Sequence, residues 1–94
     1  MSMDRNDHLL FIVAEECAEV AQRASKCARF GMKEVQDGQS LNNTERLILE
    51  FNDLMAAMHM LLPEEMLLHG DKIASKKNKI EKYFQLSKEQ GTLR

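Results

Sequence analysis

Apolar side chains recur along most of the chain at intervals of three and four residues, the period of an amphipathic α-helix. The first such stripe predicts a helix over residues 4–29, with apolar positions at Leu9, Val13, Cys17, Val20, Ala24 and Cys27. A second stripe predicts another helix that begins near residue 42, with apolar positions at Leu47, Phe51, Leu54, Met58 and Leu61. Asn42 and Glu45 have the spacing of a capping box at its start. Gly31 is the stop signal of the first helix, and a loop over 31–43 joins the two.

The C-terminal third of the chain carries its own helix signals. Pro63 suits the first position of a short third helix that ends at Gly70. Asp71 is predicted to cap a fourth helix that runs to about Gln90. We therefore predict an all-α fold, a four-helix antiparallel bundle that forms a single domain over residues 1–94. A core this small favours completion of the bundle by homo-oligomerisation.

The two cysteines and the hydropathy of the chain indicate the cellular compartment in which the protein works. Cys17 and Cys27 would lie about 15 Å apart on one helix, too far for a disulfide. We predict buried free thiols, which fit a reducing cytoplasm. No apolar run is long enough to cross a membrane, so no membrane partner is expected.

Charge is unevenly distributed along the chain. Residues 1–70 carry a net charge of −6 and residues 71–94 a net charge of +4. An acidic body with a basic end is compatible with nucleic-acid binding, and also with an acidic metal site served by a separate phosphate-binding helix. Acidic overall charge and the lack of interleaved aromatics argue against the nucleic-acid-binding alternative.

Several carboxylates fall on faces that should be apolar. At about 100° per residue, Glu50 points the same way as Ala57 and Leu61, and Asp53 lies on the flank of that stripe. On the first helix, Glu16 lies at the edge of the apolar face, Glu19 one turn further and Glu15 beside it. A buried lone carboxylate is costly, and several together repel one another.

A hard divalent cation such as Mg²⁺ or Mn²⁺ removes both problems, because it prefers carboxylate oxygens. Acidic residues at this spacing are also common on solvated helix faces, so Glu15, Glu16 and Glu19 alone have little specificity. A diiron-type bundle would need Glu-x-x-His, and no His stands three residues after Glu16, Glu19 or Glu50.

The acidic pattern, Glu15-Glu16-x-x-Glu19 followed by Glu50-x-x-Asp53, resembles the signature of the MazG-like all-α nucleoside triphosphate pyrophosphohydrolases. The segments EECAEVAQRASKCARFG, NNTERLILEFNDLMAAMHML and KIASKKNKIEKY resemble the short single-domain, phage-type members. Thirty residues separate Glu19 from Glu50, slightly more than is usual in that family, which indicates a longer loop between the helices.

The resemblance implies hydrolysis of an NTP or dNTP between the α and β phosphates to a nucleoside monophosphate and pyrophosphate, with Mg²⁺ or Mn²⁺. It also implies a homodimer or homotetramer with sites near subunit contacts. For a phage-encoded chain it implies a location in the host cytoplasm. It makes Glu16, Glu19, Glu50 and Asp53 metal ligands, and it leaves Glu15 as either a base for the attacking water or a contact to a further metal. Phosphoribosyl-ATP or dUTP as substrate on the same fold stays an alternative.

Phosphates need cations, which the carboxylates cannot supply. The fourth helix offers Lys72, Lys76 and Lys79 on one face, and Lys82 extends the row. Among its residues, those predicted to bind substrate are Lys76 and Lys79 first, then Lys72, Asn78 and Tyr83. Lys26 and Arg29, at the end of the first helix, are a second pair that would contact phosphate or base, or only satisfy the helix end. A solvated basic face is the alternative for every lysine.

Overall fold

The fold is all-α, as predicted. A computed structural model describes residues 2–94, and these form three α-helices and one 3₁₀ turn, with no strand. The helices are α1 (Arg5–Phe30), α2 (Asn43–Leu61) and α3 (Gly70–Glu89), and the turn is Glu64–Met66. The chain divides into two compact units, one ending at Pro63 and the other spanning Glu64–Arg94. The prediction of one domain over residues 1–94 stays a prediction.

Both ends of α1 are closed by capping residues, and the one at the C-terminal end is the predicted Gly31. The Asp4 carboxylate accepts a hydrogen bond from the backbone N–H of Asp7 at 2.8 Å and caps the first turn. Gly31 ends the helix with φ at 101°, a conformation that side chains with a Cβ rarely adopt, and its N–H donates to the Cys27 carbonyl. The predicted end of α1 is therefore confirmed to within one residue.

The start of α2 is fixed by a capping box and by the preceding loop. The Glu45 N–H donates to the Asn42 side chain at 2.8 Å, and the Asn42 N–H donates to the Glu45 carboxylate at 3.1 Å, which confirms the predicted box. Thr44 donates to the Met32 carbonyl through both its N–H and its hydroxyl, at 3.0 and 2.9 Å. These bonds tie the two ends of the loop together.

Helices α1 and α2 pack as an antiparallel pair around a small core. Among the described residues, the buried apolar side chains are those of Leu9, Cys27 and Ala57. Many large apolar side chains of the pair remain open to solvent, and Phe11, Ile48 and Phe51 are at least half exposed. Cys17 is also exposed, so the prediction of two buried thiols is wrong for Cys17 and right for Cys27. Position 17 lies on the outer flank of the α1 stripe, away from α2.

The second unit differs from the sequence prediction at its start. The predicted short third helix is a single 3₁₀ turn, none of whose residues is buried, and so short a helix has no packing to sustain it. Gly70 is the first residue of α3 rather than a terminator, and His69 occupies the cap position without a side-chain hydrogen bond. Asp71 lies instead in the first turn, where its charge suits the helix dipole.

No helix within residues 2–94 has the length and apolar character needed to span a membrane. The cytoplasmic location stays a prediction.

Candidate metal centre

Three of the predicted acids converge in the first unit. Glu16 on α1 and both Glu50 and Asp53 on α2 each place a carboxylate oxygen within 4.8 Å of the other two. Glu16 and Glu50 are half-buried and Asp53 is exposed. The three oxygens belong to two different helices, so it is the packing of α1 on α2 that assembles the cluster.

The positions of these acids follow from the helical period and the antiparallel pairing. Glu50 lies two turns before Ala57, which is only 5% exposed, so both side chains face α1. Asp53 follows one turn after Glu50. The inward direction predicted for Glu50 is thus confirmed, because a residue on the solvent side of α2 would not be half-buried.

Burial and the neighbouring negative charges act together on Glu16. Partial burial raises the pKa of this carboxyl above its ordinary value, and the negative charges of Asp53, Glu50, Glu19 and Glu15 raise it further. An unfavourable concentration of negative charge is therefore built into the helix pair. A cation bound to the same oxygens would relieve it.

The donor set fits a hard divalent cation. Two oxygens that both bind Mg²⁺ at about 2.1 Å can be no more than about 4.2 Å apart. The three oxygens lie within 4.8 Å of one another, so a pair at that upper separation would have to close by about 0.6 Å for both oxygens to bind one ion. Carboxylate oxygens, with no sulfur or imidazole, are the ligands that Mg²⁺ and Mn²⁺ prefer.

Glu19 and Glu15 stand apart from the three converging oxygens. Both side chains are exposed, and neither contributes an oxygen to the group formed by Glu16, Glu50 and Asp53. Both still lie near enough for their charges to act on Glu16. The structure therefore separates an assembled set of three carboxylates from two neighbours, and the roles predicted for Glu15 and Glu19 stay predictions.

A groove adjoins the cluster on the side of the N-terminal end of α1. Glu16 and Asp53 form part of its wall, and Leu9, Ile12 and Ala57 are among the apolar residues that line it. Its volume is about 400 Å³. We name it the α1/α2 groove, and its two acidic wall residues make it continuous with the three-carboxylate cluster.

The predicted phosphate contacts of the C-terminal helix lie on α3, in the second unit. Lys72, Lys76, Lys79, Asn78 and Tyr83 are all exposed. Lys79 and Tyr83 line the same depression on α3, which also includes Lys82. Their predicted binding of substrate phosphates stays a prediction.

The second predicted cationic pair lies at the end of α1. Lys26 is half-buried and lines a separate cavity of about 410 Å³ beside the loop, together with Phe30 and Asn43. The Arg29 guanidinium carbon lies 5.0 Å from the centre of the Phe30 ring, a cation–π distance. Arg29 therefore has a structural partner within its own helix.

Two buried polar residues escaped the sequence analysis. Asn43 is 2% exposed, and its side-chain amide donates to the Gly31 carbonyl at 2.8 Å and to the Glu34 carboxylate at 3.2 Å. Arg23 is 7% exposed, and its buried Nη1 has no hydrogen-bond partner among the described residues. Arg23 follows Glu16 by seven positions and so shares its face of α1, a periodicity that could have revealed it.

Comparison of the chain with protein-family models, with curated proteins and with solved structures gives no match.

Proposed function

We propose that this chain is a metal-dependent hydrolase that cleaves a nucleoside triphosphate, either NTP or dNTP, between its α and β phosphates. The observation that carries the proposal is the convergence of Glu16, Glu50 and Asp53 from two helices to within 4.8 Å. The acidic signature shared with MazG-like pyrophosphohydrolases supports it, as does the half-buried position of two of the three carboxylates.

In this proposal Glu16, Glu50 and Asp53 hold Mg²⁺ or Mn²⁺, and Glu19 joins them as a fourth ligand after a change of rotamer. The bound cation would neutralise phosphate charge and polarise the phosphoryl oxygens. A water oxygen attacks the α-phosphorus, the bond to the bridging oxygen breaks, and pyrophosphate leaves with that oxygen. Glu15 takes the proton of the attacking water or contacts a further cation. Clustered negative charge around Glu16 supports a cation in this place rather than a lone acid.

The phosphates need positive charge beyond the metal. We assign this role to Lys76 and Lys79, with Lys72, Asn78 and Tyr83 as further contacts, because the three lysines share one exposed face of α3. Lys26 and Arg29 are the second set, with Lys26 the better placed, since Arg29 already lies over Phe30.

We further propose that a homodimer or homotetramer completes a MazG-like four-helix bundle. The support is the exposure of large apolar side chains on a helix pair with a very small core: Phe11 is 59% exposed and Ile48 is 54% exposed. Apolar surface of this kind on a small unit is typical of interfaces.

The decisive experiment is incubation of the full chain with a panel of NTPs and dNTPs, dUTP included, and Mg²⁺ or Mn²⁺. We expect monophosphate and pyrophosphate as products, and orthophosphate with diphosphate would contradict the proposal. Glu50→Gln should abolish turnover, whereas Glu81→Gln on α3 is the matched control and should not.

The remaining outcomes separate the alternatives. An inactive panel together with turnover of phosphoribosyl-ATP would move the substrate to that compound on the same site. Turnover of dUTP alone would narrow it to a dUTP pyrophosphatase. A third outcome is inactivity with both the nucleotide panel and phosphoribosyl-ATP. If the chain then binds single- or double-stranded nucleic acid, and loses this binding when Lys76 and Lys79 are changed, it is a basic-helix binding module instead.

A further inference from the structure

The α1/α2 groove opens directly from the three-carboxylate cluster. Glu16 and Asp53 belong to both, so a molecule held at the carboxylates has one end at the mouth of the groove. Beyond these acids the lining becomes apolar, with Leu9, Ile12 and Ala57 among its residues. Small-molecule sites are built in this way, with a mainly apolar wall and a few polar groups that fix orientation.

We propose that the α1/α2 groove binds the nucleoside end of the substrate, and that the polyphosphate end extends the opposite way along α1, toward Arg23. This inference rests on the proposed function, because it orients a nucleoside triphosphate on the carboxylate cluster.

The size of the groove fits a base and its sugar. Its volume of about 400 Å³ lies within the range of roughly 300–1,000 Å³ typical of small-molecule sites. Along α2 it extends from Asp53 to Met60, which is two helical turns or about 10.5 Å. The small side chains of Ala56 and Ala57 leave the backbone of α2 accessible here, so a flat ring can lie against the helix.

Two polar side chains stand at the end of the groove furthest from the acids. Arg5 and His8 line it from the first turn of α1, and both are exposed. A guanidinium stacks on flat rings and donates hydrogen bonds, and an imidazole both donates and accepts. They are therefore placed to contact the edge or face of a base whose phosphate lies at Glu16.

Arg23 marks the other side of the cluster. It lies two turns, about 10.5 Å, beyond Glu16 on the same face of α1, whereas the groove lies before Glu16. Its buried Nη1 lacks a hydrogen-bond partner among the described residues, so this nitrogen has a donor that an anion could use. A rotamer change would bring this charged donor into contact with an anion held beside the cluster.

Cleavage between the α and β phosphates requires the carboxylates to face that bond, with the nucleoside on one side and pyrophosphate on the other. The groove and Arg23 lie on opposite sides of the cluster. The part of the groove next to the acids is apolar, and its cationic groups, Arg5 and His8, stand eleven and eight residues before Glu16, about 16.5 and 12 Å along α1. The apolar stretch therefore matches the nucleoside, and Arg23 matches the pyrophosphate. The reverse orientation would place the charged phosphates against Leu9 and Ala57 and the base beside a buried guanidinium.

The test uses two probes with the full chain and Mn²⁺: α,β-methylene analogues of nucleoside triphosphates, and inorganic tripolyphosphate, which has no nucleoside. Ala56→Phe fills the groove from an exposed position on α2. We expect it to weaken analogue binding by about tenfold or more and to change tripolyphosphate binding by less than about twofold. Ala21→Phe, exposed on α1 and outside the groove, is the control and should change neither.

Arg23→Met tests the orientation. It should weaken the binding of both probes by a similar factor of about tenfold, because both carry the polyphosphate that faces Arg23. Mn²⁺ affinity should stay unchanged in Ala56→Phe, which shows that Asp53, one turn earlier, keeps its place. If Ala56→Phe unfolds the chain, the smaller Ala56→Leu serves in the same comparison.

Several results would overturn the inference. Equal loss of both probes in Ala56→Phe would show that the groove does not distinguish a nucleoside, and a change of oligomeric mass in that variant would assign the groove to a second copy of the chain. Unchanged binding of both probes to Arg23→Met would refute the orientation. The wild-type protein could bind Mn²⁺ and tripolyphosphate but bind the analogues no more tightly than tripolyphosphate. That result would refute only the assignment of the groove to the nucleoside, and the proposed function would stand. Failure to bind Mn²⁺ at all would remove both.

Discussion

Glu16 on α1 and Glu50 on α2 are separated by 33 intervening residues, yet their carboxylate oxygens lie within 4.8 Å of each other. Packing between the two helices therefore holds like charges together that would separate freely in the unfolded chain. The arrangement costs stability unless a cation binds, and this cost makes the site testable without any substrate.

The first prediction concerns Glu16 and pH. Because its pKa is raised in the folded state, the folded chain prefers protonated Glu16, and stability is lost as pH rises through that pKa. Without metal, Glu16→Gln should therefore raise the melting temperature at pH 7. The difference should vanish at about pH 3, where Glu16 is protonated in both states. Thermal unfolding followed by circular dichroism in the presence of a chelator measures both.

Addition of Mn²⁺ should reverse the order of the two melting temperatures, so that the wild type melts above Glu16→Gln. The cation stabilises only a chain that keeps its ligands. Glu81→Gln on α3 is the control and should follow the wild type throughout. A metal-free Glu16→Gln chain that melts below the wild type at pH 7 would show that the carboxylates are held by other favourable contacts.

The second prediction separates Glu15 from Glu19. Glu50→Gln removes one of the three converging oxygens and should weaken Mn²⁺ binding by more than about 100-fold, beyond the roughly 10–100-fold typical of groups that only support ligands. Glu19→Gln should weaken it by a smaller factor, since Glu19 must first change rotamer. Glu15→Gln should leave Mn²⁺ affinity nearly unchanged and lower kcat. Titration calorimetry and steady-state kinetics on the same preparations give the two quantities.

Equal losses of Mn²⁺ affinity in Glu19→Gln and Glu50→Gln would place Glu19 among the assembled ligands. A large loss in Glu15→Gln would assign Glu15 to metal binding rather than to proton transfer.

The third prediction concerns the buried guanidinium of Arg23. A buried polar group without a hydrogen-bond partner costs free energy on folding, and an apolar side chain of similar length removes that cost. Arg23→Met should therefore raise the melting temperature, by about 4–8 °C for each kcal/mol in a domain of this size. Arg29→Met, at an exposed position, should leave it unchanged or lower it slightly. A chain destabilised by Arg23→Met would mean that the guanidinium has favourable partners in the folded protein.

The fourth prediction concerns Asn43. Its side-chain amide donates to Gly31 and Glu34 from a position that is 2% exposed, so Asn43→Ala removes two part-buried hydrogen bonds together with the packing of the buried amide. We expect a loss of about 1–3 kcal/mol in the free energy of unfolding. Asn42→Ala removes only a helix cap and should cost about 1 kcal/mol. Urea denaturation of the three proteins gives the comparison, and equal losses would show that the buried amide adds nothing beyond a cap.

Much of the first unit could be predicted because local signals and helical period agree there. Asp4 and Gly31 mark the ends of α1, Asn42 and Glu45 form the expected box, and the direction of Glu50 follows from its place in the apolar stripe. Each of these depends on neighbours within a turn or two, which the sequence shows directly.

The features that the sequence did not reveal depend on packing between distant residues. Nothing local separates Arg23 from a surface arginine, because its burial comes from the approach of α2. Asn43 looked like one more polar loop residue, although it bonds back to Gly31 across the loop. The separation of Glu19 from the three converging oxygens likewise depends on the helix pairing. Pro63 and its acidic neighbours gave a helix-start signal, but a start signal cannot sustain a helix that has nothing to pack against.

The bonds from Thr44 to Met32 have a consequence for the length of the loop between them. Because these bonds fix the ends of the loop, residues can be inserted near Gly38 without shifting α2 along α1. The longer loop adds only a small entropic cost. The number of residues between the two acidic motifs can therefore change without moving the carboxylates. For this reason the spacing is a poor criterion for recognising related chains. The tip at Gly38 is equally a permissive point for an inserted peptide tag or a fluorophore, and Mn²⁺ affinity should be the same before and after the insertion.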